Sequence, residues 1–103
     1  MNQRNKEMEE AREKIELAQA LKRLYETSSD FRKVMKALLE DMPLEALYKA
    51  SATDKQETMD YLLSVGYLKK SLDMIMIRGE TAKTDFAAYL EQEMEESSDE
   101  DDL

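Results

Sequence analysis

Residues 54–78, "DKQETMDYLLSVGYLKKSLDMIMIR", carry the longest helical pattern in the chain, and the predicted architecture follows from them. Their apolar side chains recur at steps of three and four and spread over more than one stripe, which predicts a long helix that other helices pack around. Gly66 lies in the middle of this helix, where glycine costs about 1 kcal/mol relative to alanine. We therefore expect a close helix crossing or a local bend at Gly66, and we expect the helix to end at Gly79.

The flanking segments predict shorter helices on both sides. Upstream, a helix over residues 5–26 is followed by "TSSD", where Ser28 or Ser29 can cap a second helix. This second helix should end near Met42, because a proline disfavours helical geometry in the residue before it, and Pro43 suits the first turn of a short third helix.

The sequence also predicts where the long helix begins and which helix follows it. Thr53 and Gln56 have the spacing of a capping box at its start. A last helix should run from about Thr81 to Met94 and end where the acidic segment begins.

Composition agrees with an all-α chain. Hydrophobic residues are 42% of the sequence, charged residues are 38%, and there are only two glycines and one proline. These values predict a compact bundle of four to five helices in a single domain over residues 1–94.

The charge is segregated along the chain. Of the 24 acidic residues behind the net charge of -9, eight lie in residues 91–103, which contain no lysine or arginine. Residues 1–90 are close to neutral, and residues 95–103 are expected to be a disordered acidic tail. The tail either only solubilises the protein or acts as an electrostatic arm toward a basic protein surface, in which case its contact residues are Asp99, Glu100, Asp101 and Asp102.

Several classes of function are disfavoured. The chain has no cysteine and no histidine, which removes thiol chemistry, the usual general base and the commonest metal ligand. The acidic residues of the first helix follow a solvated face, so we predict a protein that is not an enzyme and has no cofactor or metal site. Without an apolar stretch long enough for a signal or a membrane span, a cytoplasmic location is expected.

Two groups of residues in the helical part are candidates for contacts. The stripe Met8, Ala11, Ile15 and Ala18 either docks on its own domain, which we favour, or pairs with a second copy in a homodimer. Methionines such as Met59 fall at core spacing, as do Met35 and Met76, and they are interpreted as core filling rather than as a binding groove.

A basic cluster lies on the second helix. The cluster consists of Arg32, Lys33 and Lys36. Another short helix follows it, and this arrangement weakly resembles a helix-turn-helix. Binding to nucleic acid requires net neutralisation of phosphate charge. Residues 1–90 are close to neutral and the tail is anionic, so the chain does not supply the positive charge that is needed. A solvated face, or a surface for protein contact, is the preferred interpretation.

The stretches "IELAQALKRLYETSSDFRKVMKALLE" and "MDYLLSVGYLKKSLDMI" resemble small helical accessory proteins of tailed bacteriophages over residues 15–77. The resemblance implies a viral protein that contacts structural or packaging proteins during head assembly or DNA packaging, in the infected cell or in the virion. The first alternative is a phage regulator whose tail binds a basic surface of a host nucleic-acid enzyme. The second is a nucleic-acid-binding protein.

Overall fold

The computed structural model describes the backbone of residues 2–101 and the side chains of residues 3–95. The helices are α1 (Asn2–Thr27), α2 (Ser29–Lys36), a π-helical segment (Ala37–Asp41), α3 (Met42–Lys49) and α4 (Lys55–Asp101). These described residues contain no strand, so the predicted all-α class is confirmed.

The break between α1 and α2 follows the predicted capping chemistry. Ser28 has extended backbone geometry, and its hydroxyl accepts a hydrogen bond from the Phe31 backbone N–H at 3.1 Å. Phe31 meets Tyr25 edge to face with ring centroids 5.0 Å apart, and the Arg32 guanidinium donates to the Tyr25 carbonyl. The cap and the ring pair together fix the change of direction after Thr27.

The predicted break near Met42 is instead a π-helical turn. The Met42 backbone N–H donates to the carbonyl of Ala37, five residues earlier, and α3 begins with Pro43 in its first turn. Proline offers no N–H to the turn before it, and its ring collides with a carbonyl held in α-helical geometry. The wider turn accommodates the ring, so helical structure continues from Ser29 to Lys49 without the predicted interruption.

The start of α4 does not show the predicted capping box. The Asp54 carboxylate accepts hydrogen bonds from the Ser51 backbone N–H at 2.6 Å and from the Ser51 hydroxyl at 2.8 Å. Gln56 donates to Asp60 at 2.9 Å, and the Thr53 hydroxyl lies 2.9 Å from that of Ser51. Thr53 and Gln56 therefore bond to other partners and form no capping box, and the Asp54 carboxylate closes the turn before α4 instead.

Gly79 does not end a helix, so the two predicted helices over residues 54–78 and 81–94 are one helix. Gly79 has no positive φ, and a Cβ built on it would lie 2.3 Å from the Ala18 Cβ. A Cβ on Gly66 would meet no atom within 4 Å. The close crossing expected at Gly66 is thus found at Gly79, and none of the described residues packs closely against Gly66.

The contacts between helices divide the chain into two compact units rather than the predicted single bundle. The terminal unit comprises Met1–Ala20 and Ile75–Leu103, and the central unit comprises Leu21–Met74. The backbone of α4 is helical to Asp101, beyond the predicted end near Met94. Side chains from residue 96 onward, and all of residues 102 and 103, lie outside the described residues, so disorder of residues 95–103 stays a prediction.

The terminal unit is an antiparallel pair formed by the first part of α1 and the last part of α4. Ala18 lies opposite Gly79, and the Arg12 guanidinium lies 5.9 Å from the centre of the Phe86 ring. Small side chains line the crossing: Ala11, Ala18 and Ala82 are 5%, 6% and 3% exposed. Close approach of the two backbones, rather than interlocking of large side chains, therefore builds this core.

The central unit buries little. Within its residues only Leu21 and Pro43 are buried, whereas many of its large apolar side chains are exposed. This unit consequently supplies most of the apolar surface available for contact with another molecule.

Candidate protein-interaction surfaces

The predicted N-terminal stripe lies at the crossing of the terminal unit. Ala11 and Ala18 are buried there, and Met8 and Ile15 are half-buried. This placement corresponds to docking on the chain itself, the alternative that the sequence favoured. A second copy could reach Ala11 and Ala18 only if the helix pair opened.

A polar groove of about 290 Å³ runs beside this crossing. Its charged and hydrogen-bonding side chains are Glu7, Glu10, Lys14, Arg78, Thr81, Asp85 and Tyr89. Partial burial and the neighbouring Glu7 carboxylate, to which the phenol donates a hydrogen bond, raise the pKa of Tyr89 above its ordinary value. The tyrosine therefore stays protonated near neutral pH and serves as a hydrogen-bond donor between α4 and α1.

The mixed charge of this groove does not mark a cation site. Two basic side chains stand among its three carboxylates. Among the described residues, no group of three or more metal-ligating side chains comes close enough together to hold a metal ion.

The basic cluster on α2 is only partly free. Arg32, Lys33 and Lys36 are exposed, but the Arg32 guanidinium is bonded to the Tyr25 carbonyl at the turn between α1 and α2. Arg32 therefore has a structural partner, and the two lysines remain as the open part of the cluster. Two exposed lysines form a small footprint for phosphate, which disfavours the nucleic-acid alternative.

The four predicted contact residues of the tail cannot be placed as side chains. Asp99, Glu100 and Asp101 belong to the helical backbone of α4, and Asp102 lies outside the described residues. Their role as an electrostatic arm stays a prediction from the charge pattern.

One face of α4 in the central unit is exposed, and we call it the outer face; it includes Met59, Leu63 and Tyr67. Sequence reasoning missed this face. Met59 is 47% exposed, which corrects its assignment to the core, whereas Met35 and Met76 are half-buried. Leu63 is 55% exposed and Tyr67 is 65% exposed. The signal in the sequence was the spread of apolar residues over more than one stripe, since a helix packed on one side has no need of a second apolar face.

A groove of about 310 Å³ lies on this outer face. All of its lining residues belong to α4: Met59, Leu62, Leu63, Gly66, Tyr67 and Lys70. The Lys70 ammonium lies 6.0 Å from the centre of the Tyr67 ring, at the outer limit of a cation–π contact. The groove is apolar and is bordered by one charge, and no side chain among residues 3–95 occupies it.

A second exposed apolar group lies on α2, the π-helical segment and α3. It consists of Val34, Leu38, Met42, Leu44, Leu47 and Tyr48. Tyr48 is 81% exposed, the highest value among the exposed large apolar side chains of the described residues. A tyrosine held in this way combines apolar area with a polar tip, which suits contact with protein.

Comparison with known protein families, with curated proteins and with solved structures finds no significant match to this chain. None of the described helices is both long enough and apolar enough to cross a bilayer.

Proposed function

We propose that this chain is a non-catalytic protein-interaction module. The observation that carries the proposal is the exposure of its apolar side chains. Sixteen large apolar residues are exposed among the described side chains, whereas the buried apolar ones are three alanines, Leu21 and Pro43. Exposed apolar surface on this scale favours association with another protein, because burial of that surface is the main source of binding free energy.

The partner that we propose is a structural or packaging protein of a tailed phage, which this chain would bind during head assembly or DNA packaging. Support comes from the resemblance over residues 15–77 and from the acidic tail. A basic patch on such a partner would attract the tail over a distance of about 10 Å at 0.1 M salt, and the apolar surface of the central unit would then complete the contact. The protein would act in the infected cell or in the virion.

A second candidate is a regulator that binds the basic surface of a host nucleic-acid enzyme. The segregation of eight acidic residues into residues 91–103 favours it, since an acidic segment can occupy a site built for phosphate. The two candidates differ in the identity of the partner and in which part of the chain carries the affinity.

Capture experiments with the full chain separate the candidates. Immobilised protein is exposed to phage structural proteins and to host lysate at low and at high salt, and the retained proteins are identified by mass spectrometry. We expect capsid or packaging proteins to be retained, and a Leu47→Glu, Tyr48→Glu variant to lose them. Retention of a host polymerase or nuclease that depends on the tail alone supports the regulator, and retention of oligonucleotide without protein contradicts both.

A further inference from the structure

The outer face of α4 forms a continuous stripe in the central unit. Successive positions of the stripe are Asp60, Leu63, Tyr67, Lys70 and Met74, at steps of three and four. The opposite side of the helix carries residues that are half-buried, such as Val65 and Leu72. The stripe therefore faces away from the rest of its unit and is free to contact another molecule.

Gly66 gives the first indication of what covers this stripe. It sits in the interior of an exposed helix, where it lowers stability, and no atom lies within 4 Å of a Cβ added to it. Gly79, in the same helix, is explained by the close approach of Ala18. A second helix passing close to Gly66 would explain this glycine in the same way, and small Ser64 and Ser71 on the other border of the stripe leave room for it.

The two charges of the stripe indicate which helix this is. Asp60 and Lys70 are ten residues apart, so they lie about 15 Å apart along the helix and cannot pair within one chain. In an antiparallel pair of α4 helices, one register places Asp60 of each copy beside Lys70 of the other. An acid and a base on one apolar stripe are therefore complementary to the same stripe on a second copy.

The same register matches the other positions by size and polarity. Leu63 of each copy lies beside Tyr67 of the other. Like flanks of the stripe meet in an antiparallel pair, so Gly66 of each copy faces Gly66 of the other, and Ser64 faces Ser64. A two-fold axis at the level of residue 65 generates the Asp60–Lys70 and Leu63–Tyr67 pairs twice, as in an isologous dimer interface.

We propose that two copies of this chain associate in antiparallel fashion through the outer face of α4, with Asp60 of each copy paired with Lys70 of the other. The inference rests on the proposed protein-contact function and names the partner of one of its surfaces. It differs from the homodimer predicted through Met8, Ala11, Ile15 and Ala18, because two of those residues are already buried within the chain.

Charge reversal tests the pairing. Sedimentation equilibrium of the full chain is compared among the wild type, Asp60→Lys, Lys70→Asp and the double variant. We expect a concentration-dependent dimer for the wild type and a dissociation constant about tenfold higher for each single variant, because two pairs become repulsive. The double variant should return to within about threefold of the wild type, since the reversed charges again attract.

Controls keep every outcome interpretable. Glu16→Lys makes the same charge change on the exposed side of α1 and should leave the dimer unchanged, and circular dichroism verifies the helix content of each variant. A wild type that stays monomeric, single variants that dimerise normally, or a double variant without recovery would each overturn the inference. If the monomer still captures phage proteins, the proposed function stands while the self-association fails.

Discussion

Alanine at Gly79 and alanine at Gly66 should change stability in opposite directions, although both glycines lie inside α4. At Gly79 the new Cβ would lie 2.3 Å from the Ala18 Cβ, whereas ordinary contact begins at 3.4 Å. The obstructing atom is attached directly to the backbone of α1, so no side-chain rotation can remove the clash. The helices of the terminal unit must move apart by roughly 1 Å, which opens the contacts around Ala11 and Ala82.

The magnitude follows from two opposing terms. Overpacking costs about 1–3 kcal/mol, and replacing a helical glycine by alanine gains about 1 kcal/mol. Gly79→Ala should therefore destabilise the protein by about 1 kcal/mol, whereas Gly66→Ala meets open space and should stabilise it by about 1 kcal/mol. The two variants should thus differ by about 2 kcal/mol.

Urea denaturation followed by circular dichroism measures this difference, at concentrations low enough to keep the chain monomeric. Ala18→Gly provides the rescue, because removal of the Ala18 Cβ makes room for the one added at Gly79. The double variant should be more stable than the sum of the two single effects predicts. If Gly79→Ala stabilises the protein as much as Gly66→Ala does, the close crossing of α1 and α4 is wrong.

Three further predictions concern local features. Ser28→Ala removes the cap of α2 and should lower the free energy of unfolding by about 1 kcal/mol, whereas Ser29→Ala should have little effect; thermal unfolding compares the two. Hydrogen bonds from Ser51 hold the pKa of Asp54 below its ordinary value. These bonds therefore stabilise the folded protein at any pH above the pKa that Asp54 has in the unfolded chain. This stabilisation is lost as the pH falls through the pKa that Asp54 has in the folded protein. The urea midpoint should therefore fall below about pH 4, and less so in Asp54→Asn. Truncation after Leu90 should leave the melting temperature unchanged and reduce the salt dependence of partner binding; a large loss of helix content upstream of residue 90 would show that the acidic segment is structural.

Features set by neighbours in the sequence were predicted well. The cap at Ser28 needs only a hydroxyl at the start of a helix, and the effect of Pro43 on helix geometry is contained in its own ring. The form of that effect was not predictable. The end of a helix, a kink and a π-helical turn can each accommodate the ring of Pro43 and its missing N–H. The predicted capping box at the start of α4 failed because Thr53 contacts Ser51 and Gln56 donates to Asp60, and the spacing of Thr53 and Gln56 does not reveal these other partners.

Features set by tertiary contacts were not predictable from one sequence. Gly66 and Gly79 both lie inside one long helix, and the tertiary contact that distinguishes them is the close approach of Ala18 to Gly79. The stripe of α1 lies at the crossing of the terminal unit, but its periodicity does not specify whether its own chain or a second copy covers it. The outer face of α4 was assigned to the core because apolar residues on both sides of a helix are typical of a central element as well as of an interface.

The π-helical turn over Ala37–Asp41 has a consequence for insertions and deletions. A π-turn holds one residue more than an α-turn, so it offsets the angular phase of α3 relative to α2. Deleting any one of its residues would turn Leu44 and Tyr48 by about 100° about the helix axis and return the Pro43 ring to the collision that the wider turn avoids. The length of this segment therefore matters more than its composition, and a frame-preserving loss of a single codon there should be more damaging than most substitutions.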